Sequence, residues 1–138
     1  MTAEFVDTNV LLYAYDASAG ERHQRARELV GALGRTRQGV LSVQVLQEFY
    51  VSATRKIAVP LSAADARGRI RTLSRWPTHS LLASDVVVAS EIAESHELSF
   101  WDAMIIRSAN RMDCNVLWSE DLNAGQLIGG VRVRNPFA

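Results

Sequence analysis

The sequence predicts an α/β fold: a mostly parallel sheet with helices on both faces. Three observations carry this. Short apolar runs at Phe5-Val6, Val40-Leu41 and Val116-Leu117-Trp118 have the length of buried strands. Longer segments with helical periodicity separate them, the alternation expected of parallel strands joined by crossover helices. Polar and acidic residues follow the strands directly, where ligand sites of open parallel sheets gather.

Phe5-Val6 reads as the first strand, and Asn9 to Tyr15 continues as an apolar helix, so Asp7 and Thr8 sit at a strand-to-helix junction. Ala26, Leu29, Val30 and Leu33 give the next helix, residues 21 to 33, its inward face, with Gly34 as its expected end. After the strand Val40-Leu41-Ser42, Ser42 caps a helix whose face is read as Leu46, Phe49, Tyr50, Ala53 and Ile57, stopped by Pro60. Ser62 caps another, with Ala66, Ile70 and Leu73 inward and Arg67, Arg71 and Arg75 in a row on a different side; Pro77 closes it. A strand is expected around Ser80-Leu81-Leu82, then a helix from Ser84 or Asp85 to about Glu97. Ser99 opens a helix with Ile105, Ile106, Ala109 and Met112 as its stripe, and the strand Val116-Leu117-Trp118 ends at Ser119-Glu120-Asp121. Gly125 and Gly129-Gly130 read as turns, and the alternating tail from Val131 to Phe137 as an edge strand.

With 138 residues, 48% of them hydrophobic, the chain suits one domain spanning 1–138 with one core. Its longest apolar patches, such as Val86 to Ala89, fall far short of the ~20 residues a membrane helix needs, and no secretory leader opens it, so a cytoplasmic protein away from membranes is expected. Cys114 stands alone, which excludes an internal disulfide framework or a cysteine-cluster zinc site and reads as a small buried hydrophobe. His23, His79 and His96 lack metal-ligand spacing, and no glycine-rich phosphate loop is present. The 15 acids and 15 bases cancel but are segregated: Glu4, Asp7, Asp16 and Glu21 precede the first base, Arg22. Setting the acids of a metal site aside as neutralised leaves a surface that tolerates a polyanion.

Among the acids, Asp7 can cap the following helix or hold a cation. Asp102 shares the helical stripe of Ile105, Ile106 and Ala109 and so points toward the core, where a carboxylate is costly unless a helix terminus, hydrogen bond or cation stabilises it. Glu48 lies, by periodicity, away from the Leu46, Phe49, Ala53 stripe and reads as solvated. Glu120 and Asp121 follow a strand and can ligate or merely form a polar loop. Convergence of such acids in one pocket requires cations to offset their repulsion, and magnesium, with its preference for carboxylate and water oxygens, suits such a set.

The segments VDTNVLLYAYD, LSVQVLQEFYVSATRK, LSFWDAMIIRSANR and LWSEDL, with the tail GGVRVRNPF, together resemble the PIN domain as used in VapC toxins of toxin-antitoxin pairs. The resemblance covers nearly the whole chain. It implies a three-layer α/β/α PIN-like sandwich and magnesium- or manganese-dependent endoribonuclease chemistry. It places the family's acidic quartet on Asp7, Glu48, Asp102 and Asp121, with Asp7 and Asp102 as the first metal ligands. Thr8-Asn9 matches the polar position that orients acid and water, and Ser119 a small hydroxyl position; Glu120 is an extra acid beside Asp121, which is taken as the ligand. An RNA substrate, a homodimer and a small antitoxin are also implied, and the arginine row becomes a candidate RNA contact. A strand-end phosphatase would need a second acid where Asn9 stands, and a response-regulator receiver a late lysine, whereas the only lysine is Lys56. The remaining alternative is a PIN fold serving as a binding or scaffold module with little activity.

Overall fold

A computed structural model describes residues 2–138. The elements are β1 (Ala3–Val6), α1 (Thr8–Tyr15), α2 (Glu21–Thr36), β2 (Gly39–Ser42), α3 (Val43–Arg55), α4 (Ala63–Leu73), β3 (Thr78–His79), α5 (Ala83–His96), α6 (Phe100–Arg111), β4 (Cys114–Trp118), β5 (Leu127–Ile128) and β6 (Val131–Arg134), with a short 3₁₀ turn at Ala17–Ala19. They form one six-stranded sheet in the order β3-β2-β1-β4-β6-β5, flanked by helices. Every neighbouring pair is parallel except β5–β6. The α/β expectation holds. All four residues of β2 are buried, as in a strand covered on both faces, and Phe5, Leu11, Leu41, Phe49, Ile106 and Leu117 anchor the core.

Capping follows the predicted serines. Ser42, Ser62 and Ser99 accept hydrogen bonds from the backbone N–H groups of Val45, Asp65 and Asp102, closing the first turns of α3, α4 and α6. Several boundaries differ from expectation. Helix α2 runs through Gly34 to Thr36 and stops at Arg37, which takes a left-handed conformation (φ 60°); one internal glycine costs about 1 kcal/mol, too little to end a well-packed helix. The strand expected at Ser80-Leu81-Leu82 lies two residues earlier, because Thr78 and His79 are the residues that pair with the end of β2. Leu82 instead caps α5, its N–H donating to the Asp85 carboxylate.

The tail strand β6 is not an edge. It pairs with β4 on one side and on the other with β5, too short to be read from the sequence, through the Gly129-Gly130 turn whose positive φ angles (57° and 82°) glycine supplies. The arginine row does not survive either: Arg67 and Arg71 are exposed on α4, but Arg75 lies past its end and lines a separate cleft with Gly39 and Trp76. The Trp76 ring sits where a Cβ on Gly39 would stand, 2.4 Å from its nearest atom, so only glycine fits there.

Candidate active site

Chain order reverses at β1, whose neighbours are β2 and β4, and the loops leaving the carboxyl ends of β1 and β4 lie side by side: Val6 is in register with Trp118, and the Asp7 N–H donates to the Trp118 carbonyl. This is the switch-point geometry that makes a crevice in parallel sheets. A cavity of about 420 Å³ opens there, and Asp7, Glu48, Asp102 and Asp121 all line it, together with Thr8, Asn9, Trp101 and Lys56. Four acids from four distant segments therefore share one cleft, with Lys56 as the single base among the lining residues.

The first motif and the β4 loop hold one another. Asp7 caps α1 by accepting from the Thr8 N–H at 2.7 Å, and its second oxygen accepts from the Ser119 hydroxyl at 2.8 Å. Ser119 in turn accepts from the Asp121 N–H at 3.1 Å. The Thr8 hydroxyl donates to Glu48 at 2.7 Å, and the Asn9 amide donates to Asp121 at 2.6 Å. Thr8, Asn9 and Ser119 thus each hydrogen-bond to one or two of the acids. Capping and site-building by Asp7 are not alternatives, since one carboxylate does both.

Glu48 is a correction to the periodicity reading. The buried face of α3 is Gln44, Val45, Phe49 and Ala53, turned from the predicted stripe, while Leu46 and Tyr50 are only half-buried and Val43 is exposed. Two apolar stripes share this helix, and the one with larger side chains misled the count. Gln44, Glu48, Ser52 and Lys56, at i, i+4, i+8 and i+12, form the polar stripe beside the core face, a spacing visible in the sequence. Gln44, itself buried, donates to Glu48 and to the Trp101 carbonyl, both at 3.3 Å, and so ties α3 to α6.

The structure also separates Glu120 from Asp121. Glu120 accepts from the Tyr13 hydroxyl at 3.0 Å and pairs with Arg22 at 2.7 Å, and it does not line the cavity. Arg22 lies over the Tyr13 and Phe137 rings, which holds the pair in place. Asp121 lines the cavity and Glu120 does not.

Burial, joined by the charges of Asp121 and Glu48, pushes the Asp7 carboxyl up to about 6 against the hydrogen bonds from Ser119 and Thr8. Burial likewise raises Asp121, with repulsion from Asp102, Glu120 and Glu48, against the Asn9 hydrogen bond. Among the described residues no base forms an ion pair with Asp7, Glu48, Asp102 or Asp121.

The donor set fits a hard divalent cation. It is all oxygen, and among the described residues no cysteine or histidine lines the cleft; a cation there would offset both the burial and the mutual repulsion that raise Asp7 and Asp121. Among the described residues, however, no three His, Cys, Asp or Glu side chains stand close enough to chelate one ion directly. Magnesium tolerates that spread, because it keeps several waters and takes one or two carboxylates directly.

Compared with known proteins, the family model described as PIN domain matches residues 5–127. No curated protein sequence matches the chain. Among solved structures, a toxin-antitoxin complex from Klebsiella pneumoniae superposes with a TM-score of 0.71 at 20% identity, covering 98% of each chain. The sarcin-ricin loop cleaving toxin VapC20 of Mycobacterium tuberculosis superposes with a TM-score of 0.68 at 18% identity, covering 86% of this chain and 90% of that one. DNA-bound VapBC from Salmonella typhimurium gives 0.69 at 16% identity over 99% of each chain. At these identities the likeness is one of fold.

Proposed function

The chain belongs to the PIN domain family, and from that premise we propose that it is a metal-dependent endoribonuclease, the toxin of a toxin-antitoxin pair, folded as a single PIN domain and acting in the cytoplasm. The observation that carries the reading is the meeting of Asp7, Glu48, Asp102 and Asp121 in one cleft without a balancing base of their own. A scaffold could use Asp7 as a helix cap, but it has no use for three further acids converging on the same cleft.

Asp7 and Asp102 would hold magnesium, or manganese in its place, with Glu48 and Asp121 reaching it through water. When bound, the ion supplies positive charge to shield the phosphodiester and a water acidic enough to yield hydroxide. The residues of the chain set the conditions for this. Ser119 and the Thr8 N–H each occupy one lone pair of Asp7 and fix its plane, leaving the others free to face the cleft. The Thr8 hydroxyl anchors one oxygen of Glu48, leaving the other, held only by Gln44 at 3.3 Å, to accept a proton or orient a water. Asn9 keeps Asp121 turned inward. The acids also repel a bare phosphate, so substrate binds only when counter-charge is present.

A small antitoxin is the proposed protein partner, since toxin-antitoxin complexes are among the chain's structural neighbours, and a cationic side chain from it would neutralise the same acids. The apolar cleft of Val43, Leu46, Tyr50, Val51 and Ile70 on α3 and α4 supports a protein contact, either with the antitoxin or in a homodimer. The test is induction of the chain and of its Asp7→Asn variant in a bacterial culture, with total RNA sequenced for new ends. Growth arrest with discrete new ends, both absent with the variant, is the expected result. Unchanged growth and RNA with soluble protein present would turn the reading toward a binding module.

A further inference from the structure

Trp101 is the feature of the cleft that the hydrolytic chemistry leaves unused. Its side chain is 64% exposed, although an indole is among the largest apolar groups a protein can bury. It stands in the first turn of α6, directly before Asp102, and lines the acidic cavity. Its setting is fixed: Gln44 donates to its carbonyl at 3.3 Å, and its ring meets Phe100 edge-on, with centroids 5.2 Å apart at 76°. Lys56, the only base lining the cavity, extends from the end of α3.

Resting on the ribonuclease reading, we propose that Trp101 stacks a nucleobase of the RNA beside the scissile phosphate while Lys56 takes a neighbouring phosphate, so that the site selects a strand with an unpaired base. The argument is one of charge and shape. Four acids by themselves repel a polyanion, so the chain's own contacts to the strand must come from other groups lining the cleft, and those include one cation, Lys56, and one exposed aromatic face, Trp101. A base in a duplex is already stacked on both faces, whereas a base in a loop or single strand is free to leave its neighbours for the indole. Stacking does not depend on base identity, so this contact sets strandedness and register, not sequence.

The test uses the full chain. The Asp7→Asn protein is titrated in magnesium with a fluorescently end-labelled single-stranded RNA decamer and with the same sequence as a duplex, following label anisotropy and intrinsic indole fluorescence together. Binding of the single strand should quench the indole signal in step with the anisotropy rise. Trp101→Phe should remove that quenching, leaving Trp76 and Trp118 unaffected, while keeping most of the affinity. Trp101→Ala should weaken single-strand binding by about 5- to 100-fold. In the wild-type background the same alanine should raise KM for cleavage and change kcat by less than about threefold. Undiminished binding with no quenching overturns the proposal, assigns the indole to a protein partner and leaves the ribonuclease reading standing. Absence of anisotropy change with every protein, wild type included, overturns both.

Discussion

Asp85, fully buried at the start of α5, is surrounded by compensation: Arg107 at 2.9 Å and Arg111 at 3.6 Å pair with one oxygen, and the other accepts from the Leu82 N–H and faces His79 Nε2 at 3.3 Å. Asp7, 5% exposed at the start of α1, receives two neutral hydrogen bonds and faces three other acids. Burial pushes both carboxyls up. At Asp85 the Leu82 N–H, the Arg107 guanidinium and the charge of His79 outweigh it and hold the group below the usual range, while Asp7 stays up at about 6. One buried acid is paired with bases of the fold; the other has no base paired with it among the described residues. This contrast, more than the number of acids, separates a structural carboxylate from a functional one.

Removing Asp85 gives the largest expected loss of stability. Asp85→Ala strands the half-buried Arg107 and should cost about 3 kcal/mol, toward the lower end for a broken buried pair because Arg111 is half exposed; urea unfolding measures it. Asp7→Asn should do the opposite. Because the folded-state pKa of Asp7 lies above its unfolded value, its ionisation penalises folding as pH rises from about 4 through 6. In chelator at pH 7 the variant should therefore exceed wild type by up to about 3 kcal/mol, and by nothing near pH 4. For Asp85, held low when folded, stability is present above the ordinary carboxylate range and lost as pH falls through it, so the gap between Asp85→Ala and wild type narrows in acid. Equal pH profiles for the two variants would erase the contrast.

Ser119→Ala sharpens the comparison at a finer scale. It removes the hydroxyl that joins Asp7 to the Asp121 backbone and should lower RNA cleavage by about 10- to 100-fold, the usual cost of losing a group that orients a metal ligand. The smallest effect is expected at Glu120. Glu120→Gln breaks an exposed pair with Arg22, costs at most about 1 kcal/mol by thermal melting, and leaves cleavage within about threefold of wild type; a large loss would return Glu120 to the cleft.

Much of this was legible before any coordinates. Acids placed directly after Phe5-Val6 and Val116-Leu117-Trp118 had to emerge at strand ends, and Asp102 on an apolar stripe had to face inward; Asp7, Asp102 and Asp121 are found on the cleft. Glu48 was not readable from periodicity, because α3 carries apolar side chains on two faces and the sequence does not say which one this chain covers. Glu120 and Asp121 were separable only by Tyr13 and Arg22, about a hundred positions away. The Asp85 cluster was missed for the same reason, since its charges come from β3, α5 and α6; Arg107 and Arg111, one turn apart on α6, were the available hint. The short strand β5 escaped and β3 was placed two residues late, because two residues carry no period.

The account is tested most directly by cleavage of a labelled RNA by purified wild type, Asp7→Asn and Asp85→Asn, each shown to be folded at the assay temperature, with magnesium and with chelator. Cleavage by wild type and Asp85→Asn that requires magnesium, and none by Asp7→Asn, is the predicted result. Cleavage by Asp7→Asn at the wild-type rate would contradict it.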